Sequence, residues 1–354
     1  MSESDKNWIL SEGIISFKDI FSAIYNRGGN IPSIKAYNAN ADALCTFNFS
    51  SPNEYKITIE AKDEDRRSVI DSLRMTGLLD LVYTYSESQK PFATEPTRKR
   101  TLSSDFQKWF QGITKGRTLV PDTNSILNHT FSSLALVFGD DILKDIHVLI
   151  PRLVILEMER QANSKPNIDC NNPKSEKECL HCRKKRWVMH GYQEIMFLKN
   201  MQAGMFPDLD AEILARFTQI SAELTADSWI RKEIKDYAKN VIKRKTEIGG
   251  SRLAGDIPKF LMVSSDFVNS LSAVAENIDS IYIAKMIDSP TRMANLKHIA
   301  KFLIYLSVLE EQIQVDIGST QYEIKGFWQG KTTFDLLNNR IMMRNPPLPH
   351  TRSN

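Results

Sequence analysis

Arg117-Thr118-Leu119-Val120-Pro121-Asp122-Thr123-Asn124 is the stretch on which the fold turns. Its apolar run is too short for a helix and breaks on an acid, so it reads as a short strand with Asp122 at its carboxyl end. That is the edge where open α/β sheets place their ligands. Asp is also a common helix cap, and as a cap Asp122 needs no chemistry.

Outward from this stretch, strand and helix patterns alternate. His147 to Ile150 reads as a second strand, and Lys259 to Ser265 and Ser280 to Ala284 as later ones. Helices are expected to begin near Pro151, Thr225 and Val268. Such alternation predicts an α/β fold, a central parallel sheet flanked by helices. We expect this domain over 105–290, with a long insertion at 163–210 and another at 243–258. Ahead of it, a polar linker spans 86–104, and a small N-terminal α/β or α+β domain of unknown role spans 1–85. That domain shows a helical pattern at Phe17, Ile20, Phe21 and Ile24, a strand at Tyr55 to Glu60, a helix from Glu64 to Met75 and a strand from Leu78 to Tyr85. Beyond it, 291–354 is read as a long helix, Met293 to Gln312, and two short strands, Gln314 to Ile317 and Tyr322 to Phe327.

The chain has 354 residues, more than one hydrophobic core usually serves, so two or three units are expected. With 42% apolar and 25% charged residues it has the composition of an ordinary globular protein. No apolar run approaches the roughly 20 residues of a membrane span, and no membrane partner is expected. The polar start, MSESDKNW, lacks a secretory pattern, so the protein is expected in the cytoplasm.

Three further acids repeat the placing of Asp122. Pro151 suits a first helical position, and from there Glu157 shares a face with Leu153 and Val154 while Glu159 points away. A glutamate at the border of a buried face with its head in water is the plain alternative. Asp227 opens a helix whose apolar stripe is Ile230, Ile234, Tyr237, Ala238 and Val241, and the helix dipole alone could explain an acid there. Asp266 ends the strand Phe260 to Ser265, with Asn269 one turn on. Four carboxylates on one sheet edge repel one another unless cations join them, and Mg²⁺ prefers carboxylate and water oxygens.

At these residues the sequence resembles the PIN nuclease family. The matching motifs are the strand followed by Asp122-Thr123-Asn124, the Ile150-Pro151 joint leading to Glu157, the helix opening at Asp227, and the strand with Ser264-Ser265-Asp266. They span about residues 117 to 287. The resemblance implies a Mg²⁺- or Mn²⁺-dependent endonuclease that hydrolyses phosphodiester bonds of single-stranded nucleic acid, RNA before DNA. Asp122, Glu157, Asp227 and Asp266 would be its catalytic metal ligands, with Asn124 and Asn269 in support. The insertions make Asp256 the substitute for Asp227. A PIN-like scaffold that binds without cutting, and the toxin nuclease of a toxin-antitoxin pair, are the alternatives.

The net charge of +3 says little about partners, but its distribution says more. Arg98, Lys99, Arg100, Lys108, Lys115 and Arg117 precede Asp122, and Arg183 to Arg186 form a basic run. A series from Arg231 to Arg252, with Lys232, Lys235, Lys239 and Arg252 as nucleic-acid contacts, could line the rim of the acidic cleft; solvated helix faces would carry the same lysines. Cys170, Cys179, His181 and Cys182 could complete a structural Zn²⁺ site, or be free thiols in a polar loop. Cys45 is expected in a core. Trp328 to Lys331 could stack a base, or pack on a neighbouring domain.

Overall fold

The computed structural model describes residues 33–51, 54–87, 99–101, 104–162, 180–206, 226–247, 259–286, 292–293, 296–318, 320–327 and 340–344. Two compact units emerge, neither continuous in sequence: one is drawn from residues 1–79, 162–190 and 287–354, the other from 80–161 and 191–286.

The first unit is a seven-stranded antiparallel sheet. Strands β1 (Ser33–Asn38), β2 (Ala43–Ser51) and β3 (Glu54–Ile59) form a meander, followed by helix α1 (Asp63–Arg74). The C-terminal part of the chain supplies a short strand at Arg292–Met293, a helix at Leu296–Leu309, and strands at Gln312–Ile317, Thr320–Phe327 and Arg340–Arg344. Ile34 of β1 pairs with Ile317 and Asn38 with Ile313, so N- and C-terminal segments share one sheet. Described residues of 33–79 and of 291–354, read from sequence as parts of a domain and an extension, therefore contribute to one core. Strict alternation explains how: in Gln312–Ile317 the residues Ile313, Val315 and Ile317 are buried and their neighbours are not. Phe47 meets Phe302 edge-on, with ring centroids 5.3 Å apart. Cys45 lies in this core.

The second unit is α/β. Its sheet begins with β4 (Asp80–Ser86) and the short β5 (Lys99–Thr101), and helix α2 (Ser104–Thr114) leads to β6 (Arg117–Pro121). There follow α3 (Thr123–Leu127), α4 (Thr130–Phe138), β7 (His147–Ile150), α5 (Arg152–Ala162), the part from Gly191 onward of α6 (Leu180–Asn200), and β8 (Gly204–Met205). Helix α7 (Ala226–Glu247), β9 (Lys259–Ser264), α8 (Phe267–Ala275) and β10 (Asp279–Met286) complete it. The spatial order is β5-β4-β10-β9-β6-β7-β8. The five strands from β10 to β8 are parallel, and β4 joins β10 antiparallel, from Ser86 opposite Ser280 to Asp80 opposite Met286. That pairing carries residues 80–86 out of the expected N-terminal domain and into this sheet.

From β6 the chain steps outward through β7 to β8, then returns to lay β9 and β10 on the other side. The order reverses between β6 and β9, which makes the crevice at their carboxyl ends the topological switch point. Asp122 follows one of these strands and Asp266 the other.

The expected insertion at 163–210 contains ordered structure. From Gly191 onward α6 buries Tyr192, Ile195 and Leu198, at helical spacing, in this unit. Gly191 permits the approach: a Cβ there would lie 2.7 Å from Met158 Cε and 2.8 Å from Leu127 Cδ2. Buried glutamates close two helix starts. Glu194 accepts from the backbone N–H of Phe131 and Ser132 in α4, and Glu233 from those of Arg152 and Leu153 in α5. Among the described residues no helix is long and apolar enough to cross a membrane.

Candidate functional site

Asp122 leaves β6 with extended backbone and caps α3, so the capping reading of this residue is realised: its Oδ1 accepts from the Ser125 N–H at 2.7 Å. Capping uses only one of its oxygens. Oδ2 accepts from the Ser264 hydroxyl and, at 2.9 Å, from the Asn269 amide. The residue is fully buried, and burial pushes its carboxyl up to about 6. Ser264, Ser125 and Asn269 oppose the rise, while the charge of Asp227 adds to it.

Asp227 sits in the first turn of α7, a helix that buries Trp229, Ile230 and Ile234. Its Oδ1 accepts from the same Asn269 nitrogen at 3.0 Å. Asp122 Oδ2 and Asp227 Oδ1 therefore stand no farther apart than two hydrogen bonds, a spacing at which carboxylates can share cations and bridging waters. Burial first, then the charge of Asp266, raises the Asp227 pKa, and Arg231 opposes them.

Asp266 caps α8, its Oδ1 accepting from the N–H groups of Val268 at 2.8 Å and Asn269 at 3.2 Å. Ser264 ties it to Asp122, because the hydroxyl that reaches Asp122 also accepts from the Asp266 N–H at 2.9 Å. Asn269 thus touches three acids, two with its side chain and one with its backbone. The second oxygens of Asp227 and Asp266 have no hydrogen-bond donor among the described residues.

Glu157 joins at one remove. Its Oε2 accepts from the Thr123 hydroxyl, the residue after Asp122, and its Oε1 from Gln161 at 3.0 Å. Asn124 makes no side-chain hydrogen bond to the four acids among the described residues.

As a metal site the donor set fits in part. Among the described residues no three His, Cys, Asp or Glu side chains are gathered tightly enough to hold an ion as they stand. The reason is visible at Asp122, whose two oxygens already face three donors, and at Asn269, whose NH₂ fills the space between Asp122 and Asp227. Among the described residues, one oxygen each of Asp227 and Asp266 is left without a donor.

The basic residues are less concentrated at the site than their clustering in sequence suggests. Arg231 is 7% exposed and points inward, its Nη1 donating to Asn269 Oδ1 at 2.5 Å and its Nε to Glu276 at 2.8 Å. Lys235 pairs with Glu276 and Lys232 with Asp236, while Lys239, 77% exposed, lies 3.9 Å from Asp236. Lys115 and Arg117 stand at the amino end of β6, and five residues of strand, roughly 17 Å, separate Arg117 from Asp122. Arg117 is engaged there by Tyr85 and Asp279. Arg252, Asp256, Cys170, Cys179 and Trp328 to Lys331 lie outside the described residues, as do the side chains of His181, Cys182 and Arg183 to Arg186.

Sequence reading missed Ser264 and Thr123 as connectors, and it placed Arg231 on a solvent rim. The stripe Asp227, Ile230, Ile234 held the clue, because Arg231 lies four residues beyond Asp227 and so shares its face.

Neither a family model nor a curated protein matches the chain. It is similar, at 15% identity and a TM-score of 0.30, to a solved domain of a functionally unknown protein from Methanocaldococcus jannaschii DSM 2661, covering 51% of this chain and 99% of that one.

Proposed function

We propose that the switch-point crevice of the parallel sheet is the centre of a PIN-type, metal-dependent endonuclease acting on single-stranded nucleic acid, RNA before DNA. The observation that carries this reading is the joining of Asp122, Asp227 and Asp266, from three separate elements, by one buried asparagine. Each acid taken singly has a structural explanation. Their convergence at the switch point, with two pKa values raised by burial and mutual repulsion, is the arrangement expected of a functional site.

Asp227 and Asp266 would offer open oxygens to Mg²⁺ or Mn²⁺, with Asp122 completing the acidic wall and Glu157 reaching the site beside Thr123. Mg²⁺ commonly takes one or two carboxylates and keeps its waters, so no all-protein cage is required. When bound, such an ion lowers the pKa of its water and neutralises charge on the attacking and leaving oxygens. Ser264 and Asn269 orient Asp122, and Ser264 also steadies the Asp266 backbone. Lys239, exposed on α7, could contact a phosphate of a strand bound at the site.

A second reading, a nucleic-acid-binding module that does not cut, is favoured by the Asn269 amide, which already supplies a donor to both Asp122 and Asp227. Labelled single-stranded and duplex RNA and DNA, incubated with Mg²⁺, Mn²⁺ or chelator, separate the two. Metal-dependent cleavage of single strands supports the nuclease. Binding without cleavage in every metal supports the module.

A further inference from the structure

The Asn269 side chain can stand only one way round. Its NH₂ donates to both Asp122 and Asp227, and its oxygen accepts from Arg231. A guanidinium has donors and no acceptor, so Arg231 locks the amide in this sense. A turned amide would set its oxygen against two carboxylates and its NH₂ against a cation. Arg231 is itself held, through Nε on Glu276, and Glu276 is paired in turn with Lys235. A buried positive charge thus stands directly behind the amide that donates to both the buried Asp122 and the half-buried Asp227.

Two carboxylates this close need compensation. A divalent cation could supply it, but the folded chain already contains a substitute: a donor between the acids, polarised by a full charge on its far side.

We propose that Arg231, acting through the Asn269 amide, is a built-in counter-cation for Asp122 and Asp227 that competes with a divalent metal ion for the same two carboxylates. The proposal rests on the metal-centre reading above. It makes Arg231 a positioning residue that sets the metal concentration at which the centre loads. To bridge the acids, an ion must displace the NH₂ from at least one of them, and the grip of Arg231 on the amide opposes that displacement.

The test measures Mn²⁺ binding, from the paramagnetic signal of free Mn²⁺, and thermal unfolding in chelator, for the full chain and its variants. Arg231→Met should bind Mn²⁺ on the order of tenfold more tightly, since a nearby cation is removed and the amide is released. It should melt below the wild type in chelator and recover most of the difference in saturating Mn²⁺. Arg231→Lys, which keeps the charge, should stay within about threefold of the wild-type affinity. A merely structural arginine predicts the opposite sign, because its loss loosens the acids and weakens Mn²⁺ binding. Equal or weaker binding by Arg231→Met therefore overturns the proposal. Should that variant not fold in chelator, Arg231→Gln, which removes the charge but leaves a polar amide in the pocket, is read by the same criterion. If the wild type binds no Mn²⁺, the metal reading of the site fails, and the counter-charge is judged in chelator alone. Adding Asp227→Asn to Arg231→Met should then restore the lost melting temperature, and no restoration overturns it.

Discussion

Replacing Asp122 by Asn should stabilise the metal-free protein at neutral pH, an unusual sign for a fully buried polar position. The carboxyl has its pKa raised from 3.8 to about 6. A tenfold change in proton affinity is worth about 1.4 kcal/mol, so ionised Asp122 costs the fold roughly 3 kcal/mol at pH 7.5. An acid with a raised folded pKa leaves stability highest below its unfolded pKa, and the loss builds between pH 3.8 and about 6 and levels off above that. Asparagine removes the charge and keeps the oxygen that accepts from Ser125, but its NH₂ would oppose the Asn269 donor, a loss of about 1 to 2 kcal/mol. The net gain is about 1 to 2 kcal/mol, or roughly 3 to 6 °C in melting temperature for a unit of this size. Thermal unfolding of both proteins in chelator, at pH 7.5 and pH 3.5, measures it. The advantage should be present at pH 7.5 and gone at pH 3.5, where the wild-type carboxyl is protonated. A variant that melts below the wild type by the same amount at both pH values would show that Asp122 carries no electrostatic cost, and the reasoning would fail.

Other consequences concern packing, caps and the cysteine segment. Glu194→Ala should cost about 3 kcal/mol by urea denaturation, because it orphans two buried N–H groups of α4, whereas Glu194→Gln keeps an acceptor and should cost under about 1 kcal/mol. Equal losses in both would show that the charge, not the cap, is what matters. Gly191→Val should lower stability by about 1 to 3 kcal/mol, since Met158 and Leu127 already occupy the space a side chain needs, and an unchanged denaturation midpoint would contradict that. If Cys170, Cys179, His181 and Cys182 bind zinc, metal analysis should find about one zinc per chain, lost in Cys179→Ser or Cys182→Ser. A metal-free preparation would remove that idea without touching the acidic site.

The parallel sheet was legible because buried parallel strands announce themselves as apolar runs that stop on a polar residue. Leu119 to Pro121 stops at Asp122, and Leu261 to Ser264 ends near Asp266. The strand order was not legible, and with it the neighbouring placement of Asp122 and Asp266, since no local pattern says which strand lies beside which. Strand β4 shows the same limit: its existence could be read from Leu78 to Tyr85, but its partner, β10, could not. At the site, spacing put Asp227 on a buried face, whereas the inward turn of Arg231 depends on Glu276 and Asn269, both far along the chain. Glu194 and Glu233 were invisible for a similar reason, because each caps a helix that begins more than 60 residues away. Solvated lysines and phosphate-binding lysines look alike in sequence. Only the pairing of Lys232 and Lys235 with neighbouring acids begins to tell them apart.

The central claim, that the linked acids form a metal-dependent cutting centre, is tested most directly by cleavage of end-labelled single-stranded RNA in Mn²⁺, comparing the wild type with Asp122→Asn. Thermal unfolding of both proteins shows beforehand that each is folded. We predict that the wild type cuts in Mn²⁺ and not in chelator, and that the folded variant loses at least about 100-fold in rate, as expected when a metal centre loses an essential charge. Equal cleavage by the folded variant and the wild type would contradict the account.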